Sequence, residues 1–239
     1  MKRYLYAAVA LLLVAGCKKN TVESPKSAIA IDNFIATKYR GDAGQLLERL
    51  YLNGLLRAGA TEIALNAEQL QIIEGRLSDI YRLHSTVTDS IFNTMKLHTY
   101  FSIDLKSIEL EIDSSSAAGK KVVDYLPSGV AGFDKLINEC EFTYPSPADG
   151  PNYGFVTITS AKSWNIAGLV KSFATYPFVK DASDNEFTGD GNDITYQLKG
   201  GGAVITFMQK SGDCLDGCEF VKSWRFNVDA SGTATFLGN

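Results

Sequence analysis

The stretch that decides the fold of this chain is Ile194-Thr195-Tyr196-Gln197-Leu198-Lys199-Gly200-Gly201-Gly202. Apolar and polar side chains alternate as far as Lys199, which is the period of a strand with one buried face and one face in water. The three glycines that follow adopt the positive φ of a tight hairpin turn without steric cost. The stretch therefore predicts a strand that ends in a hairpin.

Three further strands are predicted after this turn. Ala203 to Met208 is apolar on both faces, which is typical of a central strand. Phe220 to Val228 places aromatic side chains on one face, and Lys222 interrupts that face with its stem on apolar surface and its amine in water. Turn residues at 229–232 precede a last strand from Thr233 to Leu237. Together these runs predict a four-stranded antiparallel β meander.

A cysteine pair lies between the second and third of these strands. Cys214 and Cys218 belong to a glycine-containing loop, and in an exported protein such a pair most often forms a disulfide. A loop this short contributes about 2 kcal/mol in the chain-entropy description. Two alternatives stay open: a disulfide that uses Cys140, and a zinc site for which the chain offers only Cys140, His84 and His98 as further ligands.

The N-terminus has the organisation of an export signal. Residues 1–3 are basic, and Tyr4 to Val14 is an apolar run that is too short to span a bilayer as a stable helix. The sequence LVAGC at 13–17 resembles the lipobox of bacterial lipoproteins, in which the cysteine is acylated and becomes the new first residue. The resemblance implies a signal peptide at 1–16, acylation of Cys17 with chains such as palmitate, and a tether at 17–28.

This N-terminus also predicts a location. Acyl chains contribute about 0.8 kcal/mol per buried CH₂, so a multiply acylated cysteine is a stable membrane anchor. Lys18 follows the cysteine, where aspartate would favour retention in the inner membrane under the enteric sorting rule, and the outer membrane is therefore predicted. The chain carries 23 basic and 27 acidic residues and no basic cluster, which argues against a nucleic-acid partner.

Amphipathic helices are predicted in the first half of the chain. Asp42 and Gln45 form an approximate capping box, with Asp42 as the N-cap of a helix that stops by Gly59. Asn66 and Gln69 repeat the pattern before a second helix. A strand is predicted from Ile80 to Leu83, before His84. Residues 95–112 are predicted to form a long strand with a bend near Lys106-Ser107, or a hairpin-like pair of strands. Residues 114–119 are predicted to form a loop, and residues 133–140 a short helix with Cys140 as an inert buried thiol.

Prolines crowd residues 145–151 and predict a boundary between an N-terminal α+β region at 29–144 and a C-terminal α+β region at 145–239. In the second region a strand is predicted at Phe155 to Thr159, a helix at 163–173 and a strand at 178–180, before the meander. The predicted fold class is α+β, with a mostly antiparallel sheet and helices on one face.

Three sets of polar residues are candidates for catalysis. Glu109 and Glu111 share one face of a strand, and paired carboxylates can perform acid–base chemistry, although a solvated face is the simpler interpretation. His84 and His98 have no serine or cysteine partner at a recognisable spacing. A site assembled from His98, Glu109 and Asp193, which are far apart in sequence, is the third hypothesis.

An acidic segment with two glycines, residues 181–193, is the candidate for calcium. Its candidate ligands are Asp184, Glu186, Asp190 and Asp193. A helix-loop-helix calcium loop that starts at Asp184 would need a glutamate at its twelfth position, where this chain has Thr195. A solvated turn between strands is therefore predicted, with calcium or glycan binding as the alternative.

Two segments of the second half resemble an uncharacterised family of exported bacterial proteins. They are GDGNDI at 189–194 and GDCLDGC at 212–218, followed by the aromatic WRF at 224–226. The resemblance covers residues 189–228 and thins in the first half. It implies an exported setting and a disulfide between Cys214 and Cys218, and it assigns no catalytic residue.

These observations predict a lipid-anchored envelope protein that acts as a non-catalytic structural or interaction module without a cofactor. The chain contains no phosphate loop and no nucleophile–base pair at a recognisable spacing. A calcium- or glycan-binding module using residues 181–193 is the first alternative, and an enzyme or enzyme inhibitor is the second. The predicted partners are the membrane, through Cys17, and a protein or glycan.

Overall fold

The structure is a computed structural model that describes residues 29–99, 102–145, 154–187, 191–212, 214 and 217–239. The helices are α1 (Asn33–Lys38), α2 (Arg40–Leu52), α3 (Ala67–Tyr81), α4 (Thr86–Asp89), a π-helix (Ser90–Thr94), α5 (Ala117–Val123), α6 (Ala131–Glu139) and α7 (Ile166–Phe173). The strands are β1 (Ser102–Ile112), β2 (Phe155–Thr159), β3 (Val179–Phe187), β4 (Asp193–Lys199), β5 (Gly202–Ser211), β6 (Phe220–Val228) and β7 (Ala234–Gly238).

The strands form two antiparallel sheets, so the predicted α+β class is confirmed. One sheet has the order β2-β1-β3 and the other β4-β5-β6-β7. β1 pairs with β2 and β3 from beyond residue 145, and its register shifts between Ile103 and Ile108, where the sequence predicts a bend. None of the helices in the described ranges has the length and apolar content to cross a membrane.

The C-terminal meander is confirmed strand by strand. Gly200 and Gly201 have φ values of +53° and +79° in the β4–β5 turn, which is the left-handed conformation that glycine accepts most readily. β5 lies in the interior of the sheet, with β4 and β6 as its neighbours. Lys222 extends its amine over the Trp224 ring, 5.0 Å from the centroid.

The buried side chains form two cores. The terminal core joins α1 to α4 and the π-helix to the sheet β4–β7, and Phe92 meets Phe207 in it at 5.1 Å between ring centroids. The central core joins β1–β3 to α5, α6 and α7, and Phe133 is its aromatic centre, 5.0 Å from Phe178. Leu65 packs against both cores.

Two contacts show how the elements are held together. α3 is fixed to the β4–β5 turn by Arg76, which donates to the Gly201 carbonyl at 2.6 Å and lies over the Tyr196 ring. α2 approaches β1 so closely that a Cβ on Gly44 would lie 2.8 Å from a methyl carbon of Leu105. A side chain at Gly44 would therefore force Leu105 aside.

Several local predictions are wrong. Residues 80 and 81 end α3 because Ile80 completes the buried face of that helix, and Arg82 is its C-cap, followed by Leu83 in a turn. Residues 95–99 are not a strand, since the π-helix precedes them and Lys96 adopts a φ of +51°. Residues 117–119 begin α5, because the Ser116 hydroxyl accepts from the Gly119 amide and caps it.

Two helix boundaries also differ from the prediction. α2 ends at Leu52, well before Gly59, and α7 begins at Ile166, where Asn165 supplies the cap through the Gly168 amide. The N-cap at Asn66 and the short helix before Cys140 are confirmed.

Candidate functional site

A cavity lies at the junction between the end of α3 and the segment formed by α4 and the π-helix. Its volume is about 240 Å³. The lining residues are Tyr81, His84, Ser85, Thr86, Thr88, Asp89 and Asn93. We call it the His84 cavity. All seven residues come from one short segment, so local backbone geometry alone creates the concave surface.

Three local features shape the His84 cavity. His84 follows α3 with a φ of +45°, a left-handed conformation that is uncommon for residues other than glycine. Ser85 and Thr88 then form a reciprocal capping box that starts α4. The π-helix follows directly, and π-turns of this kind are frequent at functional sites. The sequence analysis missed all three, although Ser85 with Thr88 was a readable capping signal.

The rim of the cavity carries paired polar groups. The Asn93 amide donates to the Asp89 carboxylate at 2.6 Å across one turn of helix. On the other side the His84 ring meets the Tyr81 ring edge-on, with centroids 5.8 Å apart. His84, Thr86, Asp89 and Asn93 are exposed, so a ligand in the cavity would meet a carboxylate, an amide, a hydroxyl and an imidazole.

A second cavity of about 180 Å³ lies between α2 and the edge strand β4. It is lined by Leu46, Arg49, Leu50, Asn53, Leu55, Thr195 and Tyr196. Its wall contains the Arg49 guanidinium, which donates to the Asp193 carboxylate at 3.1 Å and to the Ile194 carbonyl at 2.9 Å. The Lys210 amine lies 3.9 Å from the same carboxylate.

Asp193, one of the predicted calcium ligands, thus holds two cations in a buried position. Asp184 and Glu186 lie on β3 rather than in a loop, so the predicted turn is wrong at 181–187, where pairing with β1 extends the strand. Asp190 lies outside the described residues. In the ranges that the structure describes, no three His, Cys, Asp or Glu side chains form a metal-binding group. Calcium binding by residues 181–193 stays a prediction.

Asp42 is not the N-cap of its helix but the third residue of α2. Its buried carboxylate accepts from the Thr99 amide at 2.7 Å and approaches His98 Nδ1 at 2.8 Å. The Tyr39 ring stacks on the imidazole at 4.5 Å between centroids. Burial, together with the Asp42 carboxylate, raises the pKa of Tyr39. The arrangement fastens the segment after the π-helix onto the start of α2.

The hypothetical catalytic trio is spread over different elements. His98 contacts Asp42, Asp193 contacts Arg49, and Glu109 lies on β1 opposite Thr157 and Ser183. No hydrogen bond or ion pair that the described residues form joins two of the three.

The remaining carboxylate and thiol candidates have separate surroundings. Glu111 lies 3.6 Å from the Lys180 amine, in a half-exposed pair. Cys214 and Cys218 form the predicted disulfide, with their Cα atoms 4.0 Å apart. Cys140 is a buried free thiol at the end of α6, and burial raises its pKa to about 11.

Glu48 is a buried carboxylate that the sequence analysis missed. It lies on α2 with no exposed surface and accepts a hydrogen bond from the Ala167 amide in the first turn of α7. Its second oxygen and the nearby Tyr51 hydroxyl have no hydrogen-bond partner in the described part of the chain. Burial raises the pKa of Glu48 to about 7 despite the favourable backbone hydrogen bonds. Only tertiary packing buries this residue, so its helix position alone gives no signal.

Comparison with known proteins places one further site outside the described residues. Residues 1–17 match the prokaryotic membrane lipoprotein lipid attachment site. The match supports lipid anchoring of this chain in the cell envelope. The match ends on Cys17, the residue predicted to carry the lipid. No curated protein and no solved structure matches this chain. The resemblance of residues 189–228 to an exported family stays a prediction.

Proposed function

We propose that this lipoprotein is a non-catalytic interaction module of the cell envelope, held at the outer membrane by acyl chains on Cys17. The observation that carries the proposal is the lipid attachment site at 1–17. A multiply acylated cysteine anchors a protein stably without a membrane-spanning helix. The outer membrane is inferred from Lys18, which stands where aspartate would favour retention in the inner membrane.

The geometry supports a binding role because three of the four buried carboxylates in the described part of the chain hold neighbouring elements together. Asp42 fastens residues 98 and 99 to α2, Glu74 pairs with Arg40 at 3.0 Å, and Asp193 joins α2 to β4. A general acid or base needs a polar atom that reaches a substrate. These carboxylates instead bond to neighbouring elements of the same chain.

The tether keeps the folded part close to the membrane. Residues 18–28 separate Cys17 from the first described residue, Ile29. Eleven residues reach at most about 38 Å when fully extended. Ligands of this module are therefore expected at the membrane surface or in the layer directly beside it.

Cell fractionation tests the anchoring and the location. The wild-type protein is expected in the outer-membrane fraction, and Cys17→Ala is expected to lose acylation. Lys18→Asp should shift the protein to the inner membrane, whereas the charge-matched control Lys26→Asp, farther along the tether, should not. Wild-type protein in the soluble fraction, or in the inner membrane, would contradict the proposal.

A separate assay tests the absence of catalysis. The purified mature protein is incubated with hydrolase and oxidoreductase substrate panels, and no turnover is expected. Turnover that rises with protein concentration and disappears in Asp42→Asn or His98→Gln would show instead that the Asp42–His98 pair performs chemistry. That result would overturn the non-catalytic role while leaving the anchoring intact.

A further inference from the structure

The His84 cavity has the size of a site for one small ring. Sites for drug-sized ligands usually measure about 300 to 1,000 Å³, and this cavity measures about 240 Å³. It is open on the side of the exposed residues His84, Asp89 and Asn93. A ligand would therefore insert one ring and leave the rest of a longer molecule in solvent.

The lining chemistry matches a ligand with several hydroxyl groups. The Asp89 carboxylate accepts hydrogen bonds, whereas the Asn93 amide and the Thr86 hydroxyl both donate and accept. Hydroxyl groups of a ligand need both kinds of partner. The exposed His84 ring adds a flat surface beside these polar groups, against which the C–H face of a sugar ring can pack. The Tyr81 ring is stacked on Phe34, with centroids 4.8 Å apart, and meets the His84 ring edge-on.

The charged residues at the His84 cavity favour a neutral ligand over an anionic one. Among the seven lining residues there is no lysine and no arginine, and Asp89 contributes a carboxylate to the rim. The nearby Arg82 guanidinium is paired with Asp79 at 2.8 Å. An anion in the cavity would meet the Asp89 carboxylate with neither a lysine nor an arginine among the lining residues to balance it.

The backbone geometry around the His84 cavity is a further reason to infer ligand binding there. The left-handed His84 and the π-helix lie side by side on the same cavity. π-turns are frequent at functional sites, and at this cavity one is combined with a left-handed residue, a conformation that Lys96, Tyr125 and Glu141 also adopt outside the cavity.

We propose that the His84 cavity binds one ring of a neutral saccharide. The inference names a ligand class for the interaction role proposed above, and it rests on that role. An envelope-anchored module with such a site would hold a glycan against the membrane to which Cys17 is attached.

Isothermal titration of the mature lipidated protein tests the binding. The micelles are made from a detergent without a sugar headgroup, so that the detergent does not occupy the site. The probes are glucose, galactose, N-acetylglucosamine and, as the anionic analogue, glucuronate. At least one neutral sugar is expected to bind in the millimolar range, as suits a ligand of this size. Glucuronate is expected to bind at least tenfold more weakly.

A matched pair of glycine variants locates the site. His84→Gly removes the imidazole while glycine suits the φ of +45°, so the fold should be retained. Lys96→Gly relieves the same kind of backbone conformation, at φ +51°, outside the cavity. His84→Gly and Asp89→Ala are expected to weaken sugar binding at least tenfold, and Lys96→Gly is expected to leave it unchanged.

Two results would overturn the proposal: no saturable binding of any neutral sugar in the millimolar range, or equal binding by His84→Gly and the wild type. Fractionation of the cells does not depend on the cavity. Outer-membrane protein that binds no sugar would therefore reject only this inference, whereas soluble protein would reject the proposed function.

Discussion

The terminal core and the central core differ in how charged groups hold them together. In the terminal core, Arg49 reaches Asp193 across 144 positions of sequence, and the side chain of Asp193 is only 8% exposed. In the central core the ion pairs lie outside, as with Lys135 and Glu139, whose side chains are 70% and 58% exposed. Among the described residues, the ion pairs with a buried carboxylate thus belong to the terminal core, whereas those of the central core are exposed.

The difference shows what polar contacts add to packing. Apolar side chains attract any apolar surface, whereas a buried carboxylate needs particular partners and is costly to leave without them. Asp193 meets Arg49 only when β4 lies against α2. The pair therefore favours one placement of the C-terminal sheet on the N-terminal helices.

Removal of a buried charge in the terminal core should cause the largest loss in the free energy of unfolding. Asp193→Ala leaves the Arg49 guanidinium in the interior without its carboxylate, and breaking a buried pair of this kind costs about 3 to 5 kcal/mol. The control Glu139→Ala removes an exposed pair of the central core and should cost less than about 1 kcal/mol. Urea unfolding measures both changes, and equal values would remove the contrast between the cores.

Glu48 links the two cores and should make stability depend on pH. Its pKa of about 7 lies above the ordinary value of 4.5, so the folded protein holds the proton more tightly than the unfolded chain. The stabilising effect is complete below pH 4.5 and is lost as the pH rises to about 7, a change of about 3 kcal/mol. Unfolding free energies of the wild type and Glu48→Gln, measured from pH 4 to 8, test this.

The difference between the two proteins isolates Glu48 from other titrating groups. Burial also raises the pKa of Glu74 and of Asp79, but both residues are present in both proteins. As the pH rises, the free energy of unfolding should therefore fall less for Glu48→Gln than for the wild type. Parallel curves would show that Glu48 is not held as a neutral acid between α2 and α7.

Of the three predicted changes in the free energy of unfolding, removal of the disulfide should cause the smallest. The disulfide closes a short loop between β5 and β6 in the sheet of the terminal core. Replacement of Cys214 and Cys218 by serine should lower the free energy of unfolding by about 2 kcal/mol, the value expected for so short a loop. Wild-type protein reduced with a thiol reagent is the control, and its free energy of unfolding should equal that of the double variant. An unchanged stability would show that the loop closes equally well without the bridge.

The sequence predicted the meander well because its signals are local. From the alternation of side chains and the glycine turns, the ends of β4 to β7 were predicted to within two residues of their observed positions, except for the C-terminal end of β5. The N-cap of α3 at Asn66 was also predicted from a local signal. The end of β1 at Ile112 was predicted, but its start was missed because the alternation continues through residues 95–99. The positive φ of Lys96 and the preceding π-helix depend instead on packing around Phe92 and Leu97.

The candidate sites were harder to predict. The lipid attachment site is a linear motif, and the sequence located it at Cys17. The His84 cavity depends on backbone angles, and the partners of Asp42 and Asp193 depend on tertiary contacts across 56 and 144 positions. Sequence spacing carries no information about such contacts. His98 and Asp193 were therefore singled out correctly as polar residues of interest, but were grouped with the wrong partners.

Mass spectrometry of the mature N-terminal peptide tests the central claim most directly. The membrane-anchored lipoprotein described above should begin at Cys17, lack residues 1–16 and carry acyl chains on that cysteine. The peptide mass should return to the unmodified value after removal of the lipid. A mature protein that retains residues 1–16, or that begins at Cys17 without lipid, would contradict the account.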